Sequence, residues 1–206
     1  MAWFTRFTRF ADVHLVYAQE KENSCGVACV MMTVFKINKL KPGAKALHEE
    51  EEIYKVYGEA SGSEYDGTNY TYANYLAKTL NRLNVGIWKA KNVGAASVTK
   101  KIIDKVGTAS GVGPIINVKP AIVLVGWTDG GAHFVVIDTV RSFGGKMYAT
   151  VCDPWDGNVH VTEIKTGQPF KYRGAPVPMS WDLGGTRHEY GNKTGAPDGW
   201  MVYRAS

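Results

Sequence analysis

The chain has 206 residues, 45% apolar and 21% charged, the balance of a globular domain and unlike a disordered chain. Its 24 basic and 19 acidic residues leave a net charge of +5, scattered instead of gathered in a stripe, which argues against nucleic-acid binding. No run approaches the ~18 apolar residues of a membrane span, so stable membrane insertion is excluded, and three cysteines are an odd count for a disulfide scaffold.

Elements follow in chain order. Trp3, Phe4, Phe7 and Phe10, interrupted by Arg6 and Arg9, read as a packed leader helix or strand and lack the form of a signal peptide. Val13 to Tyr17 is strand-like, and Cys25 to Asn38 is an apolar run long enough for a buried helix, ended by Lys41-Pro42-Gly43. Ala44 to Ala60 has helical spacing, with Glu49 to Glu52 near its start, read as a solvated face. Tyr72, Leu76, Leu80 and Leu83 predict a helix over 70–83, and Ala95 to Val106 a short one.

The period then changes. Ala121–Trp127, Ala132–Val140, Lys146–Asp153 and Asn158–Ile164 are short runs rich in Val, Ile and aromatics, joined by the hairpin-type connections at 128–131, 143–145 and 155–157. The segment from Gly174 is rich in Gly and Pro and reads as a covering strand or loop. Helices first and an antiparallel meander after predict one α+β domain over 1–206, with a helical part at about 20–106 and a sheet part at about 115–206.

The chemistry concentrates in three blocks. In Gln19-Glu-Lys-Glu-Asn-Ser24-Cys25-Gly26-Val-Ala-Cys29, Cys25 opens a helix, where free backbone N–H groups favour a thiolate. Ser24 suits the N-cap, and Gln19, across a loop, can aim its amide at an oxyanion beside the Cys25 N–H. Of five histidines, His133 follows a Gly-Gly turn and opens an apolar strand, a position suited to a general base. Asp138 lies an odd number of residues along that strand, on the opposite face, so Asp153 is the better partner to orient the imidazole. Cys29 reads as core. No P-loop or strand-anchored G-x-G-x-x-G is present, and Cys25 with Cys29 lacks a second ligand pair at zinc spacing, so neither cofactor nor metal is expected.

Taken together, Gln19…Cys25-Gly26, Gly131-Ala-His133-Phe-Val-Val and Cys152-Asp153-Pro154-Trp resemble the papain-like cysteine peptidases. The nearest branch is that of the peptidase domains of bacteriocin exporters and free-standing bacterial effector or toxin proteases. The resemblance spans about residues 13 to 160. It implies a papain-like fold with the site between its parts, Cys25 as nucleophile, His133 as base and acid, Asp153 as orienter and Gln19 as oxyanion donor. It further implies a protein or peptide substrate, a cognate inhibitor protein in the producer, and action in a target cell's cytoplasm after non-classical delivery. Lysosomal papains differ in the residues after Cys-Gly and in their disulfides, and the exporters' double-glycine preference does not carry over. Two other functions fit the same residues: a glutamine deamidase or transglutaminase, and a catalytically silent binding module.

Overall fold

The structure, a computed structural model, describes residues 3–39, 41–112, 119–127, 130–173 and 194–205. His188, most of the segment from Gly174, and Thr128 and Asp129 of the expected 128–131 connection lie outside them. β1 (Trp3–Phe7) and β2 (Val13–Tyr17) form an antiparallel hairpin, so the aromatic leader is a strand. Three helices follow: α1 (Cys25–Asn38), α2 (Glu50–Ser61) and α3 (Ala73–Arg82). β3 (Trp88–Asn92) then precedes α4 (Ala95–Val106). The remaining strands are β4 (Ala109–Ser110), β5 (Ala121–Trp127), β6 (Ala132–Phe143), β7 (Lys146–Asp153), β8 (Asn158–Ile164), β9 (Tyr172–Arg173) and β10 (Thr194–Arg204).

The main sheet runs β3-β10-β5-β6-β7-β8, with β4 on β6 and β9 on β10. Its β5-β6-β7-β8 portion is the antiparallel meander expected from the Val- and Ile-rich runs. The chain is α+β. Alternation along the strands gives the sheet two apolar faces. One face presents Ile122, Phe134, Val136, Cys152 and Val202 to a core shared with α1, α2 and α3. The other presents Val123, Val125, Val135, Ile137, Val151 and Met201 to Val98, Ile102 and Val106 of α4. No helix among the described residues is long and apolar enough to cross a membrane.

Several boundaries differ from expectation. α2 begins at Glu50, not Ala44; Leu47, which suggested an earlier start, is exposed and has no buried face to join. Glu50 itself departs from the solvated reading. It is buried, accepts hydrogen bonds from Tyr17 Oη (3.1 Å) and the Glu20 N–H (3.1 Å), and ties α2 to the loop before Cys25. Burial raises its pKa above the usual carboxylate range. α3 starts at Ala73, leaving Tyr70 and Tyr72 exposed. β3 lies within the expected helical part: Trp88 and Ala90 pack on the helical core while Lys89 and Lys91 alternate with them. Strand and helix are therefore interleaved before β5. β6 continues to Phe143 through a bulge between Ile137 and Thr139, the position of Asp138.

Candidate active site

Cys25 is the first residue of α1 and Ser24 occupies the N-cap, but the Ser24 side chain makes no capping hydrogen bond. Its hydroxyl is engaged with Lys21, donating to the carbonyl at 3.0 Å and accepting from the N–H at 3.2 Å. The first turn therefore keeps N–H groups that no Ser24 oxygen occupies, and the positive end of the helix dipole is present beside the thiol. Gly26 is required next. A Cβ there would come within 2.2 Å of Thr71 Oγ1 and 2.8 Å of Thr71 Cβ, so only glycine lets the 70–72 segment close over the helix start.

His133 is the second residue of β6 and Asp153 the last of β7. His133 shares strand parity with Val135 and Ile137, and Asp153 with Ala149 and Val151, placing both on the α4 face of the sheet. The His133 Nε2–H donates to Asp153 Oδ1 at 2.7 Å, and Cys25 lines the same cavity as this imidazole and contributes to raising its pKa. The three residues are thus brought together where β6 begins, with α1 arriving from the opposite side of the sheet. Asp153 is fully buried, and Oδ1 also accepts the Trp155 N–H at 2.9 Å. The ring of Trp127 stacks on His133 at 5.6 Å between centroids, and Trp155 meets it edge-on at 6.3 Å.

Burial alone would lower the His133 pKa, but the charge and hydrogen bond of Asp153 and the Cys25 side chain overcome it and push it up to about 10. Burial would likewise raise Asp153, and the His133 charge and hydrogen bond hold it below the ordinary carboxylate value. Burial pushes the Cys29 and Cys152 thiols well above the ordinary value, so neither is a ready nucleophile. Cys29 is core, as expected.

A second constellation of the same residue types provides a comparison. His14, Asp138 and Cys152 place their ligand-type atoms within 4.8 Å of one another, all buried. His14 Nδ1 is hydrogen-bonded to Asp138, and Lys36 Nζ sits 2.5 Å from the same carboxylate. That cluster is sealed between α1, β2, β6 and β7. Cys25, by contrast, is partly exposed and lines a cavity of about 550 Å³. Access separates the two constellations. The cavity also reaches His133, Asn23, Thr71 and an aromatic wall of Tyr70, Tyr72, Trp127, Trp155 and Trp200. Sequence reasoning passed over that wall; the one signal was Trp155, inside the Asp-Pro-Trp block.

Gln19 is placed differently from an oxyanion donor. It is buried, lies outside the cavity lining, and donates through Nε2 to the carbonyls of Lys21 and Glu22, both at 2.8 Å. Its two amide hydrogens are thereby used to clamp the loop that leads to Cys25. A clamp predicts that Gln19→Ala lowers folding stability by about 1–3 kcal/mol, because each of two loop carbonyls loses its hydrogen bond from the buried amide. A donor acting mainly in the transition state would leave stability unchanged. Urea titration of both proteins separates these outcomes.

Compared with known proteins, the chain matches no family model and no curated sequence.

Proposed function

We propose that the protein is a cysteine endopeptidase that cleaves a protein or peptide through an acyl-enzyme, with Cys25, His133 and Asp153 as its working residues. The observation that carries the reading is a partly exposed thiol on an uncapped helix start, lining one open cavity with an imidazole whose Nε2–H is held by a buried carboxylate. In this mechanism the thiol proton is held on His133, and the sulfur attacks the substrate carbonyl. The oxyanion is held by first-turn N–H groups of α1, beginning with that of Cys25. The tetrahedral intermediate collapses, His133 gives its proton to the leaving amine, and water activated by the same imidazole releases the acyl group. Asp153 keeps the imidazole in one tautomer and stabilises its cationic form. The apolar walls suit a peptide carrying aromatic or aliphatic side chains next to the scissile bond.

A proteome exposed to the active chain, compared with the Cys25→Ala variant, gains new protein N-termini on this reading. Intact substrates gaining about one dalton, without fragments, would instead identify glutamine deamidation by the same acyl chemistry.

The raised His133 pKa has a signed consequence. The folded value, about 10, lies above the ordinary ~6.5 of histidine. Its stabilising contribution is therefore complete below about pH 6.5 and is lost as pH rises through about 10. A ¹³C-labelled histidine spectrum is expected to show one ring protonated well past neutrality, and His133→Gln removes that signal.

A further inference from the structure

Asp153 accepts a further hydrogen bond that neither the triad nor the sequence motifs account for. Tyr172 Oη donates to Asp153 Oδ2 at 2.8 Å, and both residues are almost fully buried. The Tyr172 ring meets Trp127 edge-on at 5.7 Å, and Trp127 is the surface on which His133 stacks. Tyr172 belongs to the two-residue strand β9, held by pairing with Thr194 and Gly195 of β10. One residue from outside the meander thus touches the carboxylate directly and reaches the imidazole through one intervening ring.

We propose that Tyr172 is a positioning residue of this site: its phenol fixes Oδ2 of Asp153 so that Oδ1 stays on His133, and its ring supports the Trp127 platform beneath the imidazole. The proposal deepens the peptidase reading and rests on it. A carboxylate held by one oxygen pair can turn about its terminal bond, which is a soft torsion. A donor on each oxygen removes that freedom. The phenol also draws charge from the carboxylate, making it a weaker base toward His133. An imidazolium bound too tightly by its partner is a poorer acid toward the leaving amine. Tyr172 therefore sets how readily His133 gives up its proton.

Among the described residues, the groups facing His133 include Cys25, Asp153 and the Trp127 and Trp155 rings. Behind Asp153, His160 Nε2–H donates to Asp156 Oδ2 at 2.8 Å, and His160 packs against the Tyr172 ring. Tyr172→Phe keeps the ring and removes only the donor.

Two readouts test the proposal. The first is the His133 titration followed by ¹³C-histidine NMR in a Cys25→Ala background, where the thiol no longer contributes. Tyr172→Phe is expected to raise the midpoint by about half a unit to one unit. Replacing the Tyr172 phenol with its 3-fluoro analogue, a more acidic donor with the same packing, is expected to lower it. The second readout is peptide cleavage by the otherwise wild-type chain, in which Tyr172→Phe lowers kcat about tenfold and leaves KM unchanged. An unmoved titration overturns the proposal even if kcat falls, because loss of packing alone would then explain the loss. Expected shifts in a protein that cleaves no peptide would remove the peptidase reading and leave the Tyr172–Asp153–His133 linkage standing. Normal cleavage with an unmoved titration in Tyr172→Phe would do the reverse.

Discussion

Cys25→Ala is expected to give a folded protein with no measurable turnover. The residue is partly exposed at a helix start, so exchanging a thiol for a hydrogen leaves little void, and alanine is a strong helix former. Activity is another matter, since no other thiol can substitute: Cys29 and Cys152 are buried with raised pKa values. His133→Ala is expected to cost nearly as much. As the proposed nucleophile and base they would act as a unit, so each single change approaches the ~10⁶-fold loss of the pair, and the double variant is no worse than either. Asp153→Asn is milder. Its carbonyl can still accept the His133 and Trp155 N–H groups, and its amide can donate to the Tyr172 oxygen, but the imidazolium loses its counter-charge. Cleavage rates of one peptide, with circular dichroism as the check on folding, measure all of these. A Cys25→Ala protein with residual wild-type turnover would place the chemistry elsewhere.

Asp138→Asn is expected to be the most damaging change for stability, although Asp138 lies outside the cavity. Its carboxylate holds Lys36 at 2.5 Å and is hydrogen-bonded to His14, with all three side chains buried. Burial would raise the Asp138 pKa, but Lys36 and His14 drive it far below the ordinary carboxylate range. Replacing it with a neutral amide leaves the Lys36 ammonium buried without its counter-ion, at a cost of about 3–5 kcal/mol. Lys36→Met combined with Asp138→Asn removes the stranded charge and is expected to recover most of that loss. Urea unfolding midpoints of wild type, single and double variants decide the matter, and a single variant as stable as wild type would refute it. The depressed pKa has a sign of its own. The contribution of Asp138 is complete above the unfolded value near ~4 and is lost as pH falls below it. The pair also joins α1, which begins with Cys25, to β6, which carries His133, so its loss loosens the frame of the site.

Local signals were legible because local physics sets them. α1 has the bounds its unbroken apolar run predicts, and β5, β7 and β8 follow their Val-, Ile- and aromatic-rich runs between glycine turns. The separation of Asp138 from His133 was also legible, since strand parity sends them to opposite faces. Tertiary burial decided where patterning was silent. Leu47 fits a helical spacing but meets no core, and Glu50 sits in an acidic run yet is buried under Tyr17. The alternation of Trp88 and Ala90 with two lysines was present to be read as β3, within a stretch otherwise dominated by helices.

The order of residues sets the class of the fold and the neighbourhood of Cys25, His133 and Asp153, because a helix start, a strand start and a strand end are local features. What each polar atom does depends on how the folded elements pack. Packing commits the Gln19 amide to the carbonyls of Lys21 and Glu22, and it brings Tyr172 from a two-residue strand onto Asp153. It seals one Cys/His/Asp group under Lys36 and opens the other to a cavity. A hydrogen bond between residues far apart in the chain depends on distances of a few tenths of an ångström, set by how whole elements pack, and no spacing along the chain encodes them.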